Sequence, residues 1–270
     1  MTRKAGTNGP QRVQTLIYDT NNLKEIFAVQ EPYAVINLAG EPIQKGRWTP
    51  ARKKAILESR VALTNAIVNA IAGSERKPEV LINASAVGYY GTSETRVFTE
   101  ESPAGDDFLA DVCAAWEQAA GNASGHTRVV IVRIGVVLGK DGGALPKMML
   151  PYRFFVGGVI GSGKQWVPWI HIDDVTGLIS FAITNGSLSG AVNATAPAAL
   201  RIKDLSKMLA KALRRPNIFP IPRLVLRWTL GEVATLLLSG QRVTPKAAVD
   251  AGYRFRFPIL QEALKDLLGR

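Results

Sequence analysis

The chain has one cysteine, Cys113, and only two histidines, His126 and His171, in 270 residues. A single cysteine excludes an intrachain disulfide and any cysteine-cluster metal site, and two histidines exclude a histidine-rich centre, so no metal is expected. Long apolar runs are also scarce. The stretch 224–238 is interrupted by Arg227, Gly231 and Glu232, short of the roughly 18 uninterrupted residues a membrane span needs. The N-terminus lacks the apolar core of a secretory signal, and residues 1–12 are too short and too punctuated by Gly and Pro for a complete transit peptide. Acidic residues are the minority charge, 22 against 33 Lys and Arg, for a net charge of +11. The bases lie in small groups such as Arg52-Lys53-Lys54 and Arg214-Arg215, with no nucleic-acid module beside them, so no nucleic-acid partner is expected. That charge instead suits a small anionic, phosphorylated molecule.

With 47% hydrophobic and 20% charged residues, the composition is that of a folded protein of one or two domains. Strand-like and helix-like segments alternate in the first half. Strands are expected at 13–18, 33–38, 79–84 and 126–134. Helices are expected from Thr49-Pro50 to Gly73 and over 108–120, where Thr49 and Asp106 or Asp107 are the capping residues. Ser59, Leu63, Ile67 and Ile71 recur every four residues along the first helix, as an inward stripe does. Val129-Val130-Ile131-Val132 is continuously apolar, the mark of a strand covered on both faces. The order predicts an α/β fold with a doubly wound, Rossmann-type parallel sheet. After Gly139 the pattern becomes loop-rich, with helices expected at 175–184, 201–214, 222–238 and 259–268. The simplest division is a sheet domain over 1–140 and a smaller, mixed, substrate-side region over 141–270, with elements exchanged between them.

In open parallel sheets ligands bind beyond the carboxyl ends of the strands. Asn37-Leu38-Ala39-Gly40, the segment from Ser85 to Gly91, and Arg133-Ile134-Gly135-Val136 all lie at such ends. Ala39 and Gly40 are small enough to admit a dinucleotide to the backbone, or simply to make a tight turn. Ser85 can donate to a carbonyl or close a strand. Tyr89 and Tyr90 supply phenols, or aromatic packing with a hydrogen-bonded hydroxyl.

The segments Val35-Ile36-Asn37-Leu38-Ala39-Gly40-Glu41-Pro42, Ser85-Ala86-Val87-Gly88-Tyr89-Tyr90-Gly91, Arg133-Ile134-Gly135-Val136-Val137-Leu138-Gly139 and Trp169-Ile170-His171-Ile172-Asp173-Asp174 together resemble the atypical epimerase branch of the extended short-chain dehydrogenase/reductases, also called cell division inhibitor-like. Tyr90-Gly91-Thr92-Ser93-Glu94-Thr95 and Leu138-Gly139-Lys140-Asp141-Gly142-Gly143 look most like cyanobacterial or plastid members. The resemblance implies NADP, or NAD, held across the strand ends. Asn37, Leu38, Ala39 and Gly40 would line the pyrophosphate and ribose path, and Ser85, Gly135 and Val136 would sit near the nicotinamide. Arg3 and Lys4 would pair with the extra phosphate of NADP through charge-assisted contacts. Ser85, Tyr89 and Tyr90 are the catalytic candidates, and His171 with Asp173 would order the second region.

Two departures stand beside these matches. The Gly-rich fingerprint, a strand, tight turn and helix that receive the pyrophosphate, is absent: Gly6 and Gly9 follow no strand. Either the chain is N-terminally incomplete, or it has lost a central strand. The first is favoured because losing that strand would expose two long edges; cofactor binding would then be weakened or lost. The superfamily's Tyr and Lys, four residues apart on one helix face, exchange and stabilise a proton. Counted from Glu117, those places fall on Leu109 and Cys113, neither of which can do so. Tyr89, Tyr90, Asp107 and Asp111 are the substitutes, whereas Glu100 and Glu101 read as surface carboxylates. The stretch 157–165 lacks the spacing of a triphosphate loop and reads as substrate-side loops, with Lys164 facing an anion. Trp166 and Trp169 read as core, and His171 as a hydrogen-bonding hub.

The leading functional reading is an NADP-dependent oxidoreductase or epimerase-like protein with a small-molecule substrate. The alternatives are a non-catalytic, division-related interaction protein and an incomplete product without cofactor binding. The expected location is the cytoplasm of a prokaryote or the plastid stroma of a photosynthetic eukaryote.

Overall fold

A computed structural model describes residues 22–269; the strand expected at 13–18, and Arg3 and Lys4, lie outside the described residues. The chain runs α1 (Leu23–Gln30), β1 (Ala34–Asn37), α2 (Pro50–Gly73), β2 (Val80–Ala86), a 3-10 turn (Val87–Tyr90), β3 (Val97–Phe98), α3 (Phe108–Gly121), β4 (Arg128–Ile134) and β5 (Val136–Leu138). It continues through α4 (Leu145–Arg153), β6 (Trp166–Val167), β7 (Trp169–His171), α5 (Ile172–Thr184) and β8 (Gly190–Ala194). The last part holds β9 (Leu200–Arg201), α6 (Ile202–Leu213), α7 (Arg223–Leu230), α8 (Thr235–Leu238), β10 (Arg242–Val243), α9 (Lys246–Asp250) and α10 (Leu260–Leu268).

Among the described residues the main sheet is four-stranded in the order β1-β2-β4-β8, and every pairing is parallel. Alternate residues of the central strands serve opposite faces. Leu81, Val129 and Ile131 pack with α1 and α2, while Val80, Ile82, Val130 and Val132 pack with Val175, Leu178 and Ile179 of α5. Helices therefore cover both faces, which is why these strands read as unbroken apolar runs.

The caps hold as the sequence predicts: the side chain of Thr49 accepts from the amide of Arg52, and that of Asp107 from the amides of Leu109 and Ala110. At 24 residues, α2 is long and apolar enough to cross a bilayer by length and composition alone. It is a core helix here, its stripe of Ile56, Leu63, Ile67, Val68 and Ile71 buried. The sheet takes its fourth strand from β8, well past residue 140. A separate core gathers α4, α6, α10 and Trp169. The loop-rich expectation for 140–165 misses α4, whose Pro146 starts the helix and whose Pro151 lies inside it. The single helix expected over 222–238 is broken at Gly231, where φ is +62°, into α7, a 3-10 turn and α8.

Candidate functional site

Because β1, β2 and β4 are parallel neighbours, with Asn37 opposite Asn83 and Ser85 opposite Arg133, their carboxyl ends emerge side by side. The three segments singled out in the sequence thus share one rim. Beyond β1, residues 40–45, Arg60 and Lys147 line an open cleft of about 610 Å³. The Asn37 side chain is buried and does not face this cleft. Its amide donates to Thr64 Oγ1 (2.9 Å) and Asn83 Oδ1 (2.7 Å), while its carbonyl accepts from the Ala39 amide (3.3 Å). Asn37 thereby sets the path of Leu38-Ala39-Gly40, and Leu38 is exposed there.

Gly40 packs against the head of Arg60. A Cβ built there would lie 2.8 Å from the Arg60 guanidinium carbon, so the guanidinium occupies the space a side chain would take. Arg60 is held by its donations to the carbonyls of Ile56 (2.9 Å) and Glu41 (3.1 Å), and it lies over the Trp116 ring. Burial lowers its pKa from the ordinary value, with Cys113 and Glu41 opposing. Across the cleft, Lys147 donates to Gln44 Oε1 (2.7 Å), joining the 40–45 loop to α4. Three cations, Lys45, Arg60 and Lys147, line this space; Glu41, its one carboxylate, is paired with Arg52 at 3.1 Å. The electrostatics favour an anion.

Beyond β2 and β4 lies a hydrogen-bonded network. Arg133 and Glu117 form a forked pair, Nε to Oε1 at 2.9 Å and Nη2 to Oε2 at 2.8 Å, the strong geometry for this pairing. Burial opposes the charge on Arg133, yet the hydrogen bonds and charge of Glu117, with Tyr90, carry its pKa above the ordinary value. Ser85 Oγ donates to Glu117 Oε1 at 2.6 Å. Tyr90 accepts from Arg133 Nη1 (2.9 Å) and donates to Asn193 Oδ1 (2.7 Å). Burial pushes the Tyr90 phenol up to about 12. Tyr89 lies half-buried beside these groups, with the Arg133 guanidinium 3.5 Å from its ring centroid. Its hydroxyl has no hydrogen-bond partner among the described residues.

Glu100 corrects the sequence reading. It is no surface carboxylate: Oε1 accepts from the amides of Asn193 (2.9 Å) and Ala247 (3.1 Å), and Oε2 is buried. Asp107 is spent as the α3 cap. Gly135 is glycine because a Cβ would lie 2.1 Å from the Pro168 carbonyl oxygen, where Val136 donates its amide to the same oxygen at 2.7 Å. Both residues sit where β4 passes into β5, beside the end of β8.

His171 caps α5 through Nδ1, which accepts from Asp173 at 3.0 Å; Nε2 lies 3.3 Å from Asp266 Oδ2. His171 thus caps α5 and lies beside α10, with Nε2 buried and making no hydrogen bond among the described residues. Trp169 is fully buried, while Trp166 is half-buried under Arg201 and Arg242.

Sequence reasoning missed Glu117, Arg133, Asn193 and Glu100 as one unit. The available signal was a single arginine at the end of the apolar run of β4, which needs a buried carboxylate nearby.

The NAD dependent epimerase/dehydratase family matches residues 2–194, and the Domain of unknown function (DUF1731) matches residues 221–267. The Arabidopsis thaliana protein called Epimerase family protein SDR39U1 homolog, chloroplastic, is 48% identical over 242 residues, covering 89% of this chain and 70% of its own length. Epimerase family protein YfhF of Bacillus subtilis is 43% identical over 235 residues, covering 86% and 77%. The crystal structure of human epimerase family protein SDR39U1 (isoform2) with NADPH superposes with a TM-score of 0.88 at 35% identity, covering all of this chain and 90% of that one. Both the alternating parallel sheet and these likenesses lead to one assignment: the chain belongs to the NAD dependent epimerase/dehydratase family.

Proposed function

We propose that the protein is an NADP-dependent oxidoreductase or epimerase-like enzyme with a small-molecule substrate. The observation that carries this reading is the cationic rim at the carboxyl ends of the parallel strands, above all the Arg60 guanidinium seated against Gly40. The human relative, crystallised with NADPH, supports the choice of cofactor. The residues fit such a group: Arg60, Lys45 and Lys147 line the cleft with positive charge. When bound, the nicotinamide supplies a hydride donor or acceptor.

In this reading Asn37 orders the path of Leu38, Ala39 and Gly40 along the phosphates, and Ser85, Gly135 and Val136 form the nicotinamide end. Ser85 directs its proton to Glu117 and so ties the end of β2 to α3. Tyr90 is committed on both sides and holds Arg133 in place. Tyr89, with its hydroxyl uncommitted among the described residues, is assigned the proton exchange that the superfamily gives to a helix tyrosine. Arg3 and Lys4 keep their proposed role toward the extra phosphate. The chloroplastic and bacterial relatives support a plastid stroma or a bacterial cytoplasm as the setting.

The test is titration of the full chain with NADPH and with NADH, followed by nicotinamide fluorescence. Saturable binding that favours NADPH, and weakens about tenfold or more in Arg60→Met for the loss of one charge-assisted phosphate contact, supports the proposal. No saturable binding by the folded chain overturns it.

A further inference from the structure

Helix α7 buries none of its residues. Leu224 is 79% exposed and Trp228 82%, and their spacing of four places them on one side of the helix. Arg223 and Arg227 flank them at the same spacing. The helix is held by its main chain: Arg47 donates to the Trp228 carbonyl at 2.8 Å, leaving the indole outside. The segment before α7 adds Ile218, 69% exposed, and Phe219. These join the turn after α4, because the amides of Ile218 and Phe219 both donate to the Gly157 carbonyl, at 3.1 and 3.2 Å. That turn carries Phe154, 69% exposed, and Phe155, over which the Arg215 guanidinium lies at 4.4 Å.

One surface thus combines protruding aromatic and aliphatic side chains with arginines. The segments 142–172 and 205–231, from which it is built, contain no Asp or Glu. Exposed large apolar side chains grouped in this way mark an interaction surface. A second copy of the same face would bring its own arginines against these, which like-charge repulsion opposes. Exposed apolar side chains flanked by arginines match a surface with anions outside and hydrocarbon beneath.

We propose that α7 and the 154–156 turn dock this protein peripherally on an anionic lipid bilayer, with Leu224, Trp228, Phe154 and Phe219 entering the interface and Arg153, Arg215, Arg223 and Arg227 meeting lipid phosphates. This is attachment to one leaflet and involves no span.

The experiment is cosedimentation of the full chain with phosphatidylglycerol vesicles and with neutral phosphatidylcholine vesicles, alongside tryptophan emission with Trp228→Phe as the reference. The chain is expected to pellet with the anionic vesicles alone, with a blue shift that Trp228→Phe removes. The pair Leu224→Ser with Trp228→Ser, and the pair Arg223→Glu with Arg227→Glu, should each lower partitioning by about tenfold or more. Circular dichroism and the thermal midpoint should stay unchanged, since α7 contributes nothing to the core. Failure to bind anionic vesicles, equal binding to neutral ones, or undiminished binding by both variant pairs overturns the proposal. So does self-association without lipid that the Leu224 and Trp228 changes abolish, which would assign the face to a second copy.

Discussion

Glu117 is the residue on which the rim network turns, and its removal gives the sharpest prediction. Its carboxylate accepts from Ser85 and twice from Arg133, and the two side chains of the ion pair are 11% and 5% exposed. Glu117→Ala leaves the Arg133 guanidinium buried without a counter-charge. Breaking one partner of a buried pair costs about 3–5 kcal/mol, and the Ser85 hydroxyl left without its acceptor adds about 1 kcal/mol. At about 2–4 °C per kcal/mol for a chain of this size, the thermal midpoint should fall by about 8–24 °C, read by far-UV circular dichroism and confirmed by urea unfolding. Arg133→Met in the same background removes the orphaned charge. The double variant should therefore be less destabilised than the sum of the singles by about 2 kcal/mol or more. Recovery stays partial, because Tyr90 and the Glu100 carbonyl lose their Arg133 bonds. A loss below about 1 kcal/mol for Glu117→Ala, or simple additivity in the cycle, would refute a buried and mutually dependent pair.

Other outcomes follow from the same geometry. Burial holds the Tyr90 phenol up to about 12 against an ordinary 10.0; the folded state therefore keeps its proton longer, and this contribution to stability, complete below pH 10, is lost as pH rises through about 12. Urea midpoints measured across that window should decline less steeply in Tyr90→Phe. Cys113, buried and with its thiol pushed up to about 11 from 9.0, carries about a hundredfold less thiolate than an ordinary thiol; at pH 8 a thiol reagent should label it only on unfolding, and labelling of the native chain at the rate of a free thiol would contradict that. Gly135→Ala drives a Cβ to 2.1 Å from a backbone oxygen, so the junction of β4 and β5 must shift, at a cost of about 1–3 kcal/mol or more; an unchanged midpoint would show that the close approach does not exist.

The parts of the fold that were legible in the sequence depend on neighbours along the chain. Thr49-Pro50 and Asp107 announce their helices because caps act within one turn, and Val129 to Val132 announces a central strand because both of its faces are covered. α4 is hidden by Pro146 and Pro151, since the rule that proline ends helices outweighs a short amphipathic pattern. The site divides in the same way. Small residues at strand ends are visible locally, so Asn37, Gly40, Ser85 and Gly135 could be singled out, but their partners could not. Ser85 meets Glu117 across 32 positions and Tyr90 meets Asn193 across 103. Glu100 looked like one of two surface carboxylates because the amides that it binds, on Asn193 and Ala247, belong to distant strand and helix termini. Gly40 was read as room for a ligand, and only the fold shows that a guanidinium stands in that room.

The central claim, that a dinucleotide lies across the carboxyl ends of β1, β2 and β4, is tested most directly by hydrogen exchange of the full chain with and without saturating NADPH. The account predicts slowed exchange in residues 37–41, 85–91 and 133–136, with α9 and α10 unaffected. Protection confined to other segments, with these three unchanged, would contradict it.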